Sequence, residues 1–358
     1  VFIPGLYFIS KCDTAFERIW LYSPLNAITN GNGCVQYFFV VSGFLITMYV
    51  YKNNELKREL PQILGKYLKY LKIVVPAILF AFILMKCGLM FHLKAAEINS
   101  ELAFVKDYNN FNPNVFNLFS DAFIMTFIKG SSYVGPLWTI RYELLGSILI
   151  SMIANYTYQC RQNSHLIYVF TAILIVPVCQ NLCAFIFGAF VYDLYCRLDT
   201  DNTRFIKVIK ALTNSKAIKA AALVIGLYLA CINGSFSGMW AWMANPFGGD
   251  TVIRAAGVTI ILYIVITSTT LKKIFSLKFF VWLGNLSAYI YIFHWPVILS
   301  LGCFMYVALY KYIEYYRLVA LISVSCILAT ITISRLYLLL LPKFNSLYGW
   351  AKSKLARI

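Results

Sequence analysis

Ten apolar stretches, most of them near the length that a helix needs to cross a bilayer, constrain this chain more than any other feature. About 20 apolar residues span the hydrocarbon core. That ruler marks 1–10, 34–51, 71–91, 137–155, 165–179, 181–196, 217–233, 251–268, 286–308 and 317–341. No water reaches the backbone inside a bilayer, so such stretches must satisfy their own N–H and C=O groups as helices. The expected fold is therefore all-α, a polytopic membrane bundle of about ten transmembrane helices. VFIPGLYFIS at residues 1–10 reads as the second half of a helix, so the first is expected to be truncated. With 61% hydrophobic and only 13% charged residues, the chain lies far from the roughly 25% charged content of a soluble domain.

A formal net charge of +17 does not point to nucleic acid, because the cations sit in short loops between apolar stretches. One set of alternate loops holds Lys52, Lys57, Arg58, Lys66, Lys69 and Lys72, then Arg161, then Arg197 to Lys219, then Lys272, Lys273 and Lys278. The other set holds only Lys11, Arg18, Lys94, Lys106, Lys129, Lys311 and Arg317. Lysine and arginine accumulate on the cytoplasmic side, so the first set is expected inside, with both termini. Residues 1–341 then form the membrane domain, and 342–358 a basic cytoplasmic tail. The ten cysteines include no CxxC pair and no zinc-type spacing with histidine, so no metal site is expected. Cys12 and Cys34 flank one polar loop and are the pair suited to a disulfide on an oxidising side.

Within this frame the segment GPLWTIRYELLGSILIS, residues 135–151, is unusual in carrying Arg141 and Glu143 at its head. A charge at a bilayer helix centre costs about 2.5–3.5 kcal/mol on insertion scales, so such groups face a protein interior or a water-filled path. Thr139, Glu143, Ser147 and Ser151 recur every four residues and share a face. Arg141 lies about 160° away and is expected to reach a neighbouring helix or the membrane boundary. Ser147 and Ser151 are expected to act as interhelical glue, whereas Glu143 is read as functional.

Two further segments carry chemistry. GNGCVQYFFVVSGFLITMYVYK places Ser42 and Gly43 in mid-helix, where a glycine admits a second backbone. WLGNLSAYIYIFHWPVILS aligns Ser287, Tyr291 and His294 on one face, and Pro296 removes the helical partner of the Ile292 carbonyl. Lys66, Lys69 and Lys72 in KNNELKRELPQILGKYLKYLK share a face that suits either lipid headgroups or the phosphates of a cytosolic cofactor. Arg335, near the inner end of the last segment, suits the same two partners. Two outward loops are long: 92–135, polar and rich in asparagine, and 233–250 with Trp240, Trp242 and Phe247, either an aromatic belt or a sugar platform.

FFVVSGFLIT, PLWTIRYELLG and LGNLSAYIYIFHWPV, in that order, resemble the signatures of the membrane-bound acyltransferase family 3, the bacterial O-acyltransferases of surface polysaccharides. SPLNAITNGNG resembles an outer loop of some members. The resemblance implies an enzyme of the cytoplasmic membrane that takes an acyl group, usually acetyl, from cytosolic acyl-CoA and places it on an extracytoplasmic glycan hydroxyl. Acyl-CoA is then a co-substrate, no cofactor is tightly bound, and the partners are the glycan, acyl-CoA and membrane lipids. The matching positions are Ser42 and Gly43, Trp138 and Glu143, and Tyr291 and His294.

Family members also carry an arginine and a histidine in the first helix, and residues 1–10 contain neither. Either the chain is cut through the site or this member has lost that base. Acyl transfer needs a base and an oxyanion donor. The expected catalytic set is His294, Glu143 as its orienting carboxylate, and Arg141 or backbone amides at the oxyanion. Arg335, Lys66 and Lys69 are the candidate donor site, and Trp138, Tyr291 and Ser42 the candidate acceptor site. An inactive family member and a flippase of lipid-linked sugars are the competing readings.

Overall fold

The computed structural model describes residues 19–20, 23, 26, 29–53, 59–160, 163–201, 203–232 and 250–355. Regular structure among them is helical throughout, with no strand. The principal helices are α1 (Gly31–Asn53), α2 (Glu59–Lys86), α3 (His92–Ile98), α4 (Val115–Ile128), α5 (Trp138–Gln159), α6 (Ser164–Ile175), α7 (Gln180–Thr200), α8 (Arg204–Asn214), α9 (Lys216–Ala230), α10 (Asp250–Thr267), α11 (Thr269–Phe275), α12 (Lys278–Leu309) and α13 (Tyr315–Leu355). Seven described helices are long and apolar enough to cross a membrane, namely α1, α2, α5, α7, α10, α12 and α13. Together they make this a multi-pass membrane protein of the expected all-α class. Stretches 165–179 and 217–233 form the shorter helices α6 and α9. Residues 1–18, including Cys12, and loop residues 233–249, including Trp240, Trp242 and Phe247, lie outside the described residues.

Several boundaries differ from the sequence expectation, among them the end of α13, which runs to Leu355, through Pro342 and past the expected end at 341. Helix α2 begins at Glu59, ahead of the apolar run at 71, because an amphipathic turn is helical before it is wholly apolar. Pro61 falls among the first four residues, whose N–H groups have no helical partner in any case. Helix α12 begins at Lys278 and runs through Pro296, widening into a π turn at Ile298–Gly302. The missing proline N–H is accommodated in this way without a break. The supposed loop 92–135 is folded: α3 and α4 lie in it, joined through a 3-10 segment at Ser100–Asp107. Helix α4 spans about 21 Å at 1.5 Å per residue, short of the ~30 Å hydrocarbon core. Its Phe116, Phe119, Ile124 and Ile128 are exposed.

The chain divides into two units. One comprises Arg58–Leu144 and Leu277–Ile358, the other Pro4–Lys57 and Leu145–Ser276, so the boundary falls inside α5. In the first unit Val74, Ala77, Ile78 and Ala81 recur at helical spacing along α2 and pack with Leu137, Ile140, Ile292 and Phe293. In the second, α1 and α7 meet through glycines: a Cβ on Gly43 would overlap the Phe185 carbonyl, and one on Gly188 the Val40 carbonyl. That unit also holds a buried polar cluster. Asp193, 1% exposed, accepts from Tyr51 Oη at 2.8 Å and Ser164 Oγ at 2.6 Å, and pairs with Arg197 Nε at 3.0 Å. Thr157 links Tyr51 and Tyr168, at 3.2 and 2.9 Å.

Candidate functional site

The first unit brings two of the sequence motifs to one point. Gly135–Leu137 forms a 3-10 turn with proline in its first positions, and α5 follows at once. The Pro136 carbonyl accepts from Thr139 Oγ1 at 3.0 Å and, across 155 residues, from Tyr291 Oη at 3.0 Å. Tyr291 of the YxxH sequence thus binds the turn that opens LWxxxxE. One turn further along α12, His294 Nδ1 lies 2.6 Å from the Tyr291 carbonyl. A carbonyl only accepts, so Nδ1 carries the proton and Nε2 keeps the lone pair. The tautomer suited to a general base is therefore set by the helix backbone, and the ring needs no carboxylate at Nδ1 to select it.

Glu143 is half-buried and accepts from Tyr70 Oη of α2 at 3.1 Å. Tyr67, one turn earlier, donates to the Phe123 carbonyl of α4 at 2.7 Å. Neither tyrosine stood out in the sequence, although both lie among the lysines that did. Arg141 is exposed and lies over the Tyr142 ring at 5.8 Å. Trp138, 37% exposed, meets the same ring edge-on at 5.6 Å. Ser287 turns its hydroxyl back to the Gly284 carbonyl of its own helix.

Lys66 is half-buried and Lys69 exposed, the latter over the Tyr70 ring at 6.0 Å. Tyr337 of α13 is buried and donates to the Lys72 carbonyl. Arg335, two residues before it, points about 160° away from Tyr337 and is exposed, an orientation suited to lipid headgroups. Ser42 and Gly43 belong to the other unit, as do Ser147 and Ser151, which are buried and joined by a Ser151 hydroxyl to Ser147 carbonyl bond of 2.7 Å. Among the described residues no group of three or more His, Cys, Asp or Glu side chains is placed to hold a metal.

A second polar feature of the first unit escaped the sequence reading. Asp121, 4% exposed, accepts from Ser131 Oγ at 2.5 Å and from the Ser132 amide at 3.1 Å. Its signal was legible, since it is the one carboxylate in the apolar run VFNLFSDAFIMTFI. Beside it opens a cavity of about 410 Å³.

No curated protein and no solved structure matches the chain. A family model described as an acyltransferase domain matches residues 6–339, nearly the whole sequence and every motif considered above. With PLWxxxxE and YxxH joined at the Pro136 carbonyl and a match of that extent, the chain belongs to the membrane-bound acyltransferase family 3.

Proposed function

We propose that this membrane acyltransferase moves an acyl group, acetyl by preference, from cytosolic acyl-CoA to a hydroxyl of an extracytoplasmic glycan. The observation that carries this reading is His294, with its Nδ1 proton on the Tyr291 carbonyl and a lone pair on Nε2. In the proposed reaction Nε2 takes the proton of the acceptor hydroxyl, and the alkoxide oxygen attacks the thioester carbonyl. The tetrahedral oxyanion collapses, the C–S bond breaks, and the CoA thiolate recovers the proton from the imidazolium. Glu143, held by Tyr70, favours the transient imidazolium by its charge. Arg141 or backbone amides stabilise the oxyanion.

Orientation follows from the loop charges, with both termini in the cytoplasm of a bacterial inner membrane. Lys66 and Lys69 then lie on the side from which CoA arrives, where ammonium groups suit its phosphates, while Arg335 serves the lipid surface. The test is release of free CoA from acetyl-CoA by the purified full chain, with and without a glycan acceptor. Glu143→Gln should abolish transfer at unchanged protein level, and Lys66→Ala/Lys69→Ala should raise the KM for acetyl-CoA. A Glu143→Gln protein of full activity, or a wild type that never releases CoA, overturns the proposal.

A further inference from the structure

The cavity beside Asp121 is lined by Phe111, Asn117, Asp121, Lys129, Ser132 and Tyr133, among others. We propose that it is the subsite for the acceptor sugar, a pyranose ring stacked on Phe111, which the buried Tyr133 backs edge-on, with its hydroxyls bonded to Asn117, Ser132 and Lys129. The assignment rests on the glycan transfer proposed above.

Four observations carry it. First, about 410 Å³ falls in the range of small-molecule sites, roughly 300–1,000 Å³. Second, aromatic and hydrogen-bonding groups share one wall. Phe111 and Tyr133 meet edge to face at 4.9 Å, which fixes both rings, and Asn117 and Lys129 are exposed at the rim. Such a wall suits a ligand with apolar faces and a polar edge, as a sugar has. An acyl chain would cover the exposed Asn117 and Lys129 without offering either a polar partner, and a polyphosphate would meet the Asp121 carboxylate beside a single lysine.

Third, the wall is rigid. Asp121 ties Ser131 and Ser132 together, and Asn109 Nδ2 donates to the Tyr133 carbonyl at 2.8 Å. Fourth, the cavity is joined to the proposed chemistry along the chain. Tyr133 stands three residues before Pro136, the carbonyl bound by Tyr291. Met125, another lining residue, belongs to the π turn Asp121–Met125, whose Phe123 carbonyl is held by Tyr67, one helical turn from the Tyr70 that binds Glu143. A sugar seated here is presented beside the PLW turn.

The test uses the full chain in nanodiscs, with methyl glycosides of glucose, galactose and N-acetylglucosamine as probes. Binding is read by saturation-transfer NMR, and transfer by CoA release from acetyl-CoA. In Asn117→Ala/Lys129→Met, whose two side chains are exposed and leave the fold intact, glycoside affinity should fall at least tenfold while the KM for acetyl-CoA is unchanged. Phe111→Leu, which keeps bulk but removes the ring face, should give a similar loss. If no glycoside binds the wild type, or if one binds wild type and variants alike, the subsite assignment is wrong whatever the enzyme does. Binding that the variants lose, in a wild type that releases no CoA, upholds the subsite and removes the transfer reaction instead.

Discussion

Tyr291→Phe separates positioning from simple stability at the point where the two motifs meet. The substitution keeps the ring and removes the hydroxyl that donates to the Pro136 carbonyl at 3.0 Å. Thr139 Oγ1 also donates to that carbonyl at 3.0 Å, so the oxygen retains a partner. A neutral hydrogen bond contributes about 0.5–1.5 kcal/mol net, and a loss near 1 kcal/mol lowers the melting midpoint of a chain this size by about 2 °C. The catalytic effect should be larger. His294 is fixed to the same turn of α12 as Tyr291, and a misplacement of about 1 Å costs on the order of 100-fold in rate, near 2.7 kcal/mol of barrier. Thr139→Val is the control, because it removes a bond of the same length to the same carbonyl but leaves the tie between α5 and α12. Thermal unfolding followed by tryptophan fluorescence gives the stability arm, and CoA release at saturating acetyl-CoA gives the rate. We expect similar midpoints for the two variants and a kcat at least tenfold lower in Tyr291→Phe alone. Equal activity in both variants would falsify the positioning argument and leave the bond as packing.

Two further outcomes follow from buried polar groups. His92 is 2% exposed at the start of α3, and burial holds its imidazole below the usual histidine range. Its contribution is complete above the unfolded value of about 6.5 and is lost as pH falls from there toward the folded value, because the unfolded chain binds the proton first. The melting midpoint should therefore decline below about pH 6.5 and decline less in His92→Phe; identical slopes in the two proteins would refute this. Asp193→Ala leaves Arg197 without its closest carboxylate, a change of about 3–5 kcal/mol for a broken buried pair. It should collapse the yield of folded protein, whereas Asp201→Ala, on the more exposed partner at 3.4 Å, should leave it near wild type. Comparable yields from both variants would show that the cluster around Asp193 is not what holds those helices.

Hydrophobic length and periodicity are local properties, so the sequence alone established the helical class, the positions of most apolar helices and the three ordered motifs that mark the family. A 20-residue apolar run has only one way to satisfy its backbone in a bilayer. The same ruler failed where helix formation did not depend on an unbroken apolar run, as at the amphipathic start of α2 and in α4, too short to cross yet folded all the same. Partnerships belonged to the tertiary structure. Tyr70 with Glu143, Tyr291 with Pro136 and Tyr51 with Asp193 are separated by 73, 155 and 142 residues. Which hydroxyl meets which acceptor across such distances depends on how helices cross and on where glycines such as Gly43 and Gly188 let backbones approach. Glu143 and His294 were legible as costly polar groups in apolar helices. That the backbone sets the histidine tautomer, that a tyrosine holds the glutamate, and that Asp121 braces one wall of a cavity were decided by packing alone.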